Sequence, residues 1–501
     1  MPASQSIIVA SATLTLWRRG LASSLSLTER AVVAVGFGFL TVTAALGATL
    51  FWILEQFFSQ IDPSRFRGDS TALMRLVLAG VFVGTLVFLL ALSASAPQRT
   101  LLDNVLRMLP VRRRSRVMGT FVPVVALGFV FSLCLGIPSL AVVFQLGSGG
   151  AFSLAGLLGF LWLILWSAVA WPMLFFLARG FVTRVARLPS NYALAAASLV
   201  CIACGALLAA RDLIPVERLA PESWWQALTP TRVLAQLLVG ADGHGSTTQA
   251  WVAILAWTLV AVALVWAFLR SELATDERTT TRVLVGASFP RGSFAARLWL
   301  EAIVIVRLPQ FLVTSLAVLL GTAAFPLLYG DPRYSAVVDQ LASLVVVVPA
   351  AIGIYSFGAT AHSHWIARLT TGRSLSWVVP KIVASLIVPV AMIVPYVVLL
   401  ALRGMPVARI TDVLSLGFAM FATAALVGVL VPFLPGQALS ATITSATTTV
   451  TWALLVVASR WVTGQLNSGD PAVGTVVAAG LMLLAVPLAV RRDRGPTSAP
   501  G

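Results

Sequence analysis

The chain has 501 residues, of which 59% are hydrophobic and only 10% are charged, and its mean hydropathy is +0.95. Soluble chains carry about a quarter charged residues, so this composition excludes an ordinary soluble domain and favours a large bundle of membrane helices. The net charge of +16 does not indicate a nucleic-acid partner, because the basic residues stand in short loops between apolar runs, as in oriented membrane proteins.

Twelve apolar segments are long enough, at about twenty residues each, to cross a bilayer. The first six lie near 31–56, 72–96, 116–145, 152–178, 191–210 and 249–269. The second six lie near 308–329, 336–360, 378–402, 412–434, 438–459 and 472–490. The charge-free stretch 413–459 is divided at PFLPGQ (432–437), where proline and glycine favour a turn. The sequence predicts an all-α polytopic membrane protein with about twelve transmembrane helices.

The charges of the loops predict the orientation of these helices. Arginines crowd the loops 97–118, 179–190, 270–307 and 362–381 and the C-terminal tail. The loops near 57–71, 212–248 and 330–335 are balanced or mildly acidic. By the positive-inside rule the arginine-rich loops and both termini are cytoplasmic. Only one of the 34 basic residues is a lysine, a bias typical of GC-rich bacteria, and we expect a multi-pass protein of a bacterial cytoplasmic (inner) membrane.

The two halves of the sequence share local matches. RMLPVRRRSRVMG (107–119) aligns with RLTTGRSLSWVVP (368–380) at an offset of 261, and two further matches occur at an offset of 260. This pattern predicts a parallel six-plus-six repeat with halves 1–278 and 279–501. The first half also carries a long outer loop, 212–248, whose apolar spacing predicts short helices that dip toward the outer leaflet.

An amphipathic segment precedes the first span of each half, at 5–30 and at 294–308. Such a segment can lie in the membrane interface with its apolar residues in lipid and its arginines among the headgroups. The residues that define the two predicted interfacial helices are Trp17, Arg18, Arg19, Arg297, Trp299 and Glu301.

No motif for chemistry is visible in the chain. A phosphate-binding loop needs GxxxxGK[ST], and Lys381 follows no glycine loop. The histidines, His244, His362 and His364, lack the partners of a metal site. We therefore predict no catalytic residue, no metal and no cofactor in this chain, and expect its energy source to be supplied by a partner.

The segment FWILEQFF (51–58), at the outer end of the first span, is the candidate substrate path. Phe51, Trp52 and Phe57 supply aromatic surface, and Glu55 is the one charge among them. A hydrophobic or cationic compound would suit such a surface through ring contacts and cation–π interaction. The alternative is an ordinary helix-end charge at the membrane interface.

The stretch LLDNVLRMLPVRRRSRVMG (101–119) resembles the first cytoplasmic loop of ATP-binding-cassette (ABC) exporter permeases. With its two six-helix halves, the whole chain is similar to actinobacterial antibiotic and multidrug exporter permeases. The resemblance implies that a short helix ending near LP docks into a cleft of a separate ATPase subunit. The residues implied in ATPase coupling are Arg107, Leu109, Pro110, Val111, Arg112, Arg113, Arg368 and Arg373.

The resemblance also implies the function and the partners. Two copies of the ATPase would carry the ATP and Mg, and this chain would not itself be an enzyme. The permease would move a hydrophobic or amphipathic compound (an antibiotic, another drug or a lipid) out of the cell, between spans one, two and five of each half. The second half has ARLTTGRSLSW (367–377) in place of the LP element, so its ATPase contact is expected to be weaker.

Three alternatives stay open from the sequence. The arginines of 107–116 could serve only as a positive-inside anchor. A proton-coupled twelve-helix carrier would have GxxxDRxGRR after its second span, but the glycines are missing and no buried carboxylate relay is visible. A lipid-linked glycosyltransferase would need acidic residues in its first outer loop, where Asp62 and Asp69 stand.

Overall fold

The protein is built almost entirely from α-helices. The computed structural model describes residues 2–24, 28–59, 70–95, 106, 108–148, 154–188, 190–213, 228–239, 247–271, 288, 290–329, 335–359, 375–431, 433, 438–465 and 471–492. Helices make up 93% of the structure, and the described residues include no strand. The contacts divide the chain into two compact units, Met1–Glu277 (unit 1) and Arg278–Gly501 (unit 2).

Unit 1 contains eight helices in its described residues. They are α1 (Pro2–Ser24), α2 (Glu29–Ser59), α3 (Ser70–Ser95), α4 (Arg113–Ser148), α5 (Leu154–Val185), α6 (Ser190–Leu213), α7 (Pro230–Val239) and α8 (Thr247–Arg270). Helix α3 contacts α4, α5, α6 and α7, so it lies at the centre of this unit. Its buried side chains recur every three or four residues: Met74, Leu78, Phe82, Leu86 and Leu89.

Aromatic rings join the helices of unit 1. Phe82 of α3 lies 5.9 Å from the ring of Trp166 and 5.3 Å from that of Trp171, both on α5. At another level Phe121 of α4 meets Phe176 of α5 at 4.6 Å. These distances fall in the range preferred by edge-to-face and offset ring pairs, and they fix α5 against both α3 and α4.

Unit 2 also contains eight helices in its described residues. They are α9 (Ser293–Val306), α10 (Pro309–Tyr329), α11 (Ser335–Ala350), α12 (Gly353–Ala359), α13 (Leu375–Leu402), α14 (Val407–Leu430), α15 (Ala438–Gln465) and α16 (Pro471–Arg492). The most buried of these is α14, which packs against α11, α12, α15 and α16. Alanines permit its close contact with α16, because Ala419, Ala422 and Ala479 share one cluster with no exposed surface.

Proline and glycine explain where the helices of unit 2 break. Helix α10 begins at Pro309, which has no backbone N–H and therefore ends the preceding helix; α9 and α10 are bent by 77°. Gly404, with φ +87°, ends α13, and the N–H of Met405 donates to the Leu400 carbonyl at 3.1 Å. This is the glycine C-cap in which a left-handed residue turns the chain out of the helix.

The helices coincide with the apolar segments of the sequence. Seven of them, α3, α4, α5, α6, α8, α13 and α14, are long and apolar enough to cross a membrane, and the bent pair α9–α10 would be an eighth. This pattern indicates an all-α membrane protein. Helices also overlap the other predicted segments, but 336–360 is interrupted at Ala351–Ile352 between α11 and α12. The number of twelve spans and the six-plus-six repeat stay predictions.

The predicted interfacial segments differ in their bounds from the helices. The segment 5–30 is divided, because α1 ends at Ser24 and α2 begins at Glu29. The segment 294–308 corresponds to α9, which ends two residues earlier than predicted, at Val306, ahead of Pro309. In the outer loop 212–248 the described helix is α7. It does not lie on the surface, since Thr231 to Ala235 are all buried and contact the core of unit 1.

Candidate functional site

The loop before α4 exposes an apolar turn. Leu106 is buried, but Met108 and Leu109 are 85% and 50% exposed, and Pro110 is exposed as well. The chain reverses here, with the N–H of Val111 donating to the Leu109 carbonyl at 2.7 Å. Because Pro110 cannot continue a helix, the apolar pair projects at the turn.

Arginines border this turn on its C-terminal side. Arg112, Arg113 and Arg114 are all exposed, and α4 begins at Arg113. The Arg113 guanidinium donates from Nη2 to the carbonyl of Ser271 at 3.0 Å, which ties the start of α4 to the end of α8. The result is a small apolar projection with a cationic border, held in place at one end of unit 1. Such a surface fits an apolar cleft with an acidic edge.

Part of the predicted coupling set lies outside the described residues. Leu109, Pro110, Val111, Arg112 and Arg113 belong to the turn described above. The remaining members, Arg107, Arg368 and Arg373, lie outside the described residues. The structure therefore brings the first-half residues Leu109 to Arg113 together at one turn. The ATPase contact predicted for the second half stays a prediction.

The two helices on either side of Arg368 and Arg373 in the sequence, α12 and α13, meet at a buried ion pair. This pair was not predicted from the sequence. Lys381 of α13 has 1% of its side chain exposed, and its Nζ lies 2.7 Å from Glu301 Oε2 of α9. It also donates to the Ser356 carbonyl of α12 at 3.1 Å. One ammonium group thus joins α9, α12 and α13. The available signal was an ionisable residue inside a predicted span, which in membranes requires a partner.

Three of the four predicted substrate-path residues of α2, Phe51, Trp52 and Glu55, have described side chains, and these differ in their surroundings. Phe51 is half-buried and meets Phe144 of α4 at 6.3 Å. Trp52 is 56% exposed, while Glu55 is half-buried. The side chain of Phe57 lies outside the described residues. Phe51 therefore contributes to packing between α2 and α4, and Trp52 is the one aromatic residue of the set whose described side chain is largely exposed.

The predicted interfacial residues of α1 are more embedded in protein than an interface helix implies. Trp17 is buried, whereas Arg18 and Arg19 pair with Glu29 at the start of α2, at 2.6 and 3.0 Å. Desolvation raises the pKa of the Glu29 carboxyl, but hydrogen bonds and positive charge from Arg19 and Arg18 outweigh it and leave that pKa below its ordinary value. The two arginines thus join the last turns of α1 to the first residue of α2.

The predicted interfacial residues of α9 divide between surface and interior. Trp299 is 36% exposed, and Arg297 is half-buried. Glu301, in contrast, faces inward as the partner of Lys381. The inward face of α9 therefore carries a charged member of the predicted interfacial set.

Helix α7 is held inside unit 1 by a second buried ion pair. The Arg232 Nε donates to Asp212 Oδ1 at 2.7 Å, and the Thr231 hydroxyl donates to Asp212 Oδ2 at 2.6 Å. The side chains of Arg232 and Asp212 are 3% and 1% exposed. Both oxygens of the carboxylate are thereby satisfied, which allows a polar helix start to be buried.

A third group of charges, also missed by the sequence analysis, lies in unit 2. Asp412 of α14 accepts hydrogen bonds from Arg409, one turn earlier, and from Arg460 of α15. Asp412 and Arg460 are the residues that directly bound the charge-free stretch 413–459. Their positions at its two ends were the available signal, because charges at helix ends on the same side of a bundle can meet.

Three cavities are relevant to ligand binding. An apolar cavity of 380 Å³ lies between α11, α13 and α14, with Leu386, Pro389 and Phe421 in its lining. A smaller one of 190 Å³ lies between α3 and α4 and is lined by glycines and hydroxyls, among them Ser132. The third, of 520 Å³, contains Arg409, Asp412 and Arg460. The apolar cavity involves the second, third and fourth predicted spans of its half rather than the predicted path between spans one, two and five.

Protein-family models, curated proteins and solved structures give no match to this chain. In the described part of the chain, no three His, Cys, Asp or Glu side chains are grouped as a metal site would require. The features that bear on function are therefore the apolar turn at 108–110, the buried ion pairs and the cavities.

Proposed function

We propose that the chain is the membrane-spanning permease subunit of an ABC exporter. In this proposal it moves a hydrophobic or amphipathic compound (an antibiotic, another drug or a lipid) out of the cell, driven by two separate ATPase subunits. The observation that carries the proposal is the exposed turn Met108–Pro110 with its arginine border, anchored by Arg113 to the end of α8.

The turn has more apolar surface than a positive-inside anchor requires. A positive-inside anchor needs only arginines, and a proline-terminated apolar projection adds exposed apolar area that water disfavours. A partner with an apolar cleft would bury that area, and acidic residues at the edge of the cleft would pair with the arginines. The ATPase of an exporter works in the cytoplasm, which is where the loop charges predict this turn to lie.

The apolar cavity of unit 2 supports a lipophilic substrate. Its 380 Å³ fall in the lower part of the range of drug-sized sites. Its lining, described above, is hydrophobic. A compound held there would be recognised mainly by burial of apolar area, which agrees with a hydrophobic or amphipathic cargo rather than an ion or a sugar.

The composition of the complex tests the proposal. The permease should be purified in mild detergent after co-expression with candidate ATP-binding-cassette ATPases of the same genome, and the mass of the complex measured by native mass spectrometry. One permease chain for two ATPase chains is the expected result, because one chain would supply both halves. Absence of any bound ATPase would favour the proton-coupled carrier, and a two-to-two complex would contradict the fused-half interpretation.

Substitutions at the turn test the coupling role. Leu109→Asp together with Pro110→Asp should abolish most stimulation of ATPase activity by the permease, because it would bring charge into an apolar cleft at a cost of a few kcal/mol. Leu188→Asp is the matched control, since Leu188 is 41% exposed between α5 and α6. The same pair of changes at Thr370 and Thr371 should have a smaller effect. Equal stimulation by the wild type and the first variant would contradict the coupling role.

A further inference from the structure

The cavity around Asp412 is lined by four helices at one end of unit 2, and three of them contribute polar side chains. Tyr329 ends α10, Arg409 and Asp412 lie in the first turns of α14, Arg460 lies near the end of α15, and Pro471 begins α16. The cavity has a volume of 520 Å³. On the topology predicted from the loop charges, this end faces the outside of the membrane.

The hydrogen bonds inside the cavity leave donors to spare. Asp412 accepts from Arg409 Nη1 at 3.2 Å on one oxygen and from Arg460 Nη2 on the other. An arginine has five N–H donors in a fixed fork. Arg460 makes no other side-chain hydrogen bond within the described part of the chain, and its side chain is 38% exposed. The single carboxylate thus leaves most of the Arg460 fork available.

The N-terminus of α14 opens into the same cavity. Pro406 precedes the helix and offers no side-chain cap, and both Pro406 and Ala408 line the cavity. The first N–H groups of a helix have no partner within the helix and carry a partial positive charge. An anion is the ligand that such a terminus favours. This second feature is independent of the arginines.

Tyr329 adds a neutral donor to the lining of the cavity. Its side chain packs against an apolar cluster of unit 2 that includes Tyr396 and Met405. The tyrosine is half-buried, lines the cavity and makes no hydrogen bond among the described residues. A phenol that is fixed by its ring and has a free hydroxyl can donate to an oxyanion.

We propose that this cavity binds the anionic headgroup, a carboxylate or a phosphate, of an amphipathic molecule. Arg460 and Arg409 would hold the oxygens with forked hydrogen bonds, as guanidinium groups hold carboxylates and phosphates. Two exposed apolar side chains stand close in sequence to lining residues and would contact a tail: Trp461, which follows Arg460, is 65% exposed, and Val473, two residues after Pro471, is 59% exposed. This binding would be a property of the permease chain alone and would not require the ATPase partner.

Binding to the full chain without ATPase tests the proposal. The protein is placed in nanodiscs of neutral phosphatidylcholine, and decyl phosphate is titrated by isothermal calorimetry. Saturable binding is expected. Arg460→Gln and Arg409→Gln should each weaken it about tenfold or more, the loss expected for a charge-assisted hydrogen bond. Arg403→Gln, at an exposed arginine just after α13 and outside the cavity, should leave the affinity within about twofold.

Substitution of Asp412 distinguishes a ligand site from an ion pair that only stabilises the fold. Asp412→Asn should strengthen decyl phosphate binding, because it frees donors and removes a competing carboxylate. Asp470→Asn, next to Pro471 in the sequence, should strengthen it or leave it unchanged. The double variant Asp412→Asn with Arg460→Gln removes both charges of the Asp412–Arg460 pair and leaves only the partly exposed Arg409 without that carboxylate, so it should keep a thermal midpoint near that of the wild type and still bind more weakly than Asp412→Asn alone.

The choice of probes identifies the source of the anion. Competition by dihexanoyl phosphatidylglycerol would indicate a lipid headgroup, and competition by decanoate without it would indicate a small acidic amphiphile. Inorganic phosphate should bind far more weakly, since it has no tail. The proposal is overturned if decyltrimethylammonium binds as tightly as decyl phosphate, if inorganic phosphate equals it, or if Arg403→Gln weakens binding as much as Arg460→Gln.

Discussion

Lys381 shows how a single buried charge organises one region of unit 2. Moving an ammonium and a carboxylate out of water costs several kcal/mol each, and their attraction offsets this only when the geometry is good. The 2.7 Å contact with Glu301 and the further bond to the Ser356 carbonyl meet that condition. The pair therefore adds little net stability but is costly to break on one side only.

Removing one partner of this pair should destabilise the protein. Lys381→Met leaves Glu301 without its cation, and we expect a loss on the order of 3–5 kcal/mol in the free energy of unfolding. The double variant Lys381→Met with Glu301→Gln should recover much of that loss, because no uncompensated charge remains. Unfolding in mild detergent on titration with a denaturing detergent measures both. Equal destabilisation by the single and the double variant would contradict the prediction.

The contact between α1 and α4 illustrates what decides packing at the scale of helices. Gly119 in the first turns of α4 lies directly under α1, where a Cβ atom would overlap the side chain of Val9 and lie 2.9 Å from the Ser6 carbonyl. The close approach of the two helices therefore depends on the missing side chain. Gly80 of α3, in contrast, has no atom within 4 Å of a Cβ built on it.

The two glycines should respond to alanine in opposite directions. Gly119→Ala should displace α1 and cost about 1–3 kcal/mol through overpacking. Gly80→Ala should be neutral or stabilise by up to about 1 kcal/mol, since alanine favours the helix over glycine. Thermal midpoints in detergent give the comparison, and faster tryptic cleavage after Arg18 or Arg19 would report displacement of α1. An unchanged thermal midpoint for Gly119→Ala would contradict the close packing of α1 against α4.

At the scale of the whole molecule, the orientation predicted for the chain rests on its arginines. Helices α3, α5 and α8 end, and α4 and α6 begin, near arginine-rich segments. The bond from Arg113 to the Ser271 carbonyl places the start of α4 and the end of α8 at the same end of unit 1. An even number of membrane crossings between the start of α4 and the end of α8 is consistent with both lying on the same side.

Reporter fusions should place both termini in the cytoplasm. Alkaline phosphatase, which is active only outside, should be inactive after the C-terminus and within 272–287 but active within 240–246, because only the last of these is free of arginines. A fluorescent protein, which folds in the cytoplasm, should give the reverse pattern. An active phosphatase at the C-terminus would require an odd number of spans and would exclude the six-plus-six arrangement.

Much of the fold could be predicted from the sequence, because the hydropathy of each successive segment indicates where a membrane helix lies. The segment 378–402 lies within α13, and the segment 72–96 differs from α3 by one or two residues. The turn at Leu109 and Pro110 was also identified, since proline lacks the N–H that continues a helix. Less predictable was the break at Ala351–Ile352, which follows Pro349, because other prolines such as Pro389 lie inside a continuous helix.

The sequence by itself determined the membrane class, the positions of the helices and the apolar turn with its arginines, because composition and local backbone preferences decide these features. Only the tertiary structure decided which charges meet. Lys381 and Glu301 are 80 residues apart and Asp412 and Arg460 are 48 apart, and their pairing depends on how helices pack against one another. The burial of Trp17 and of α7 has the same origin. An ionisable side chain in an apolar bundle must find a partner, but the partner's identity depends on three-dimensional proximity.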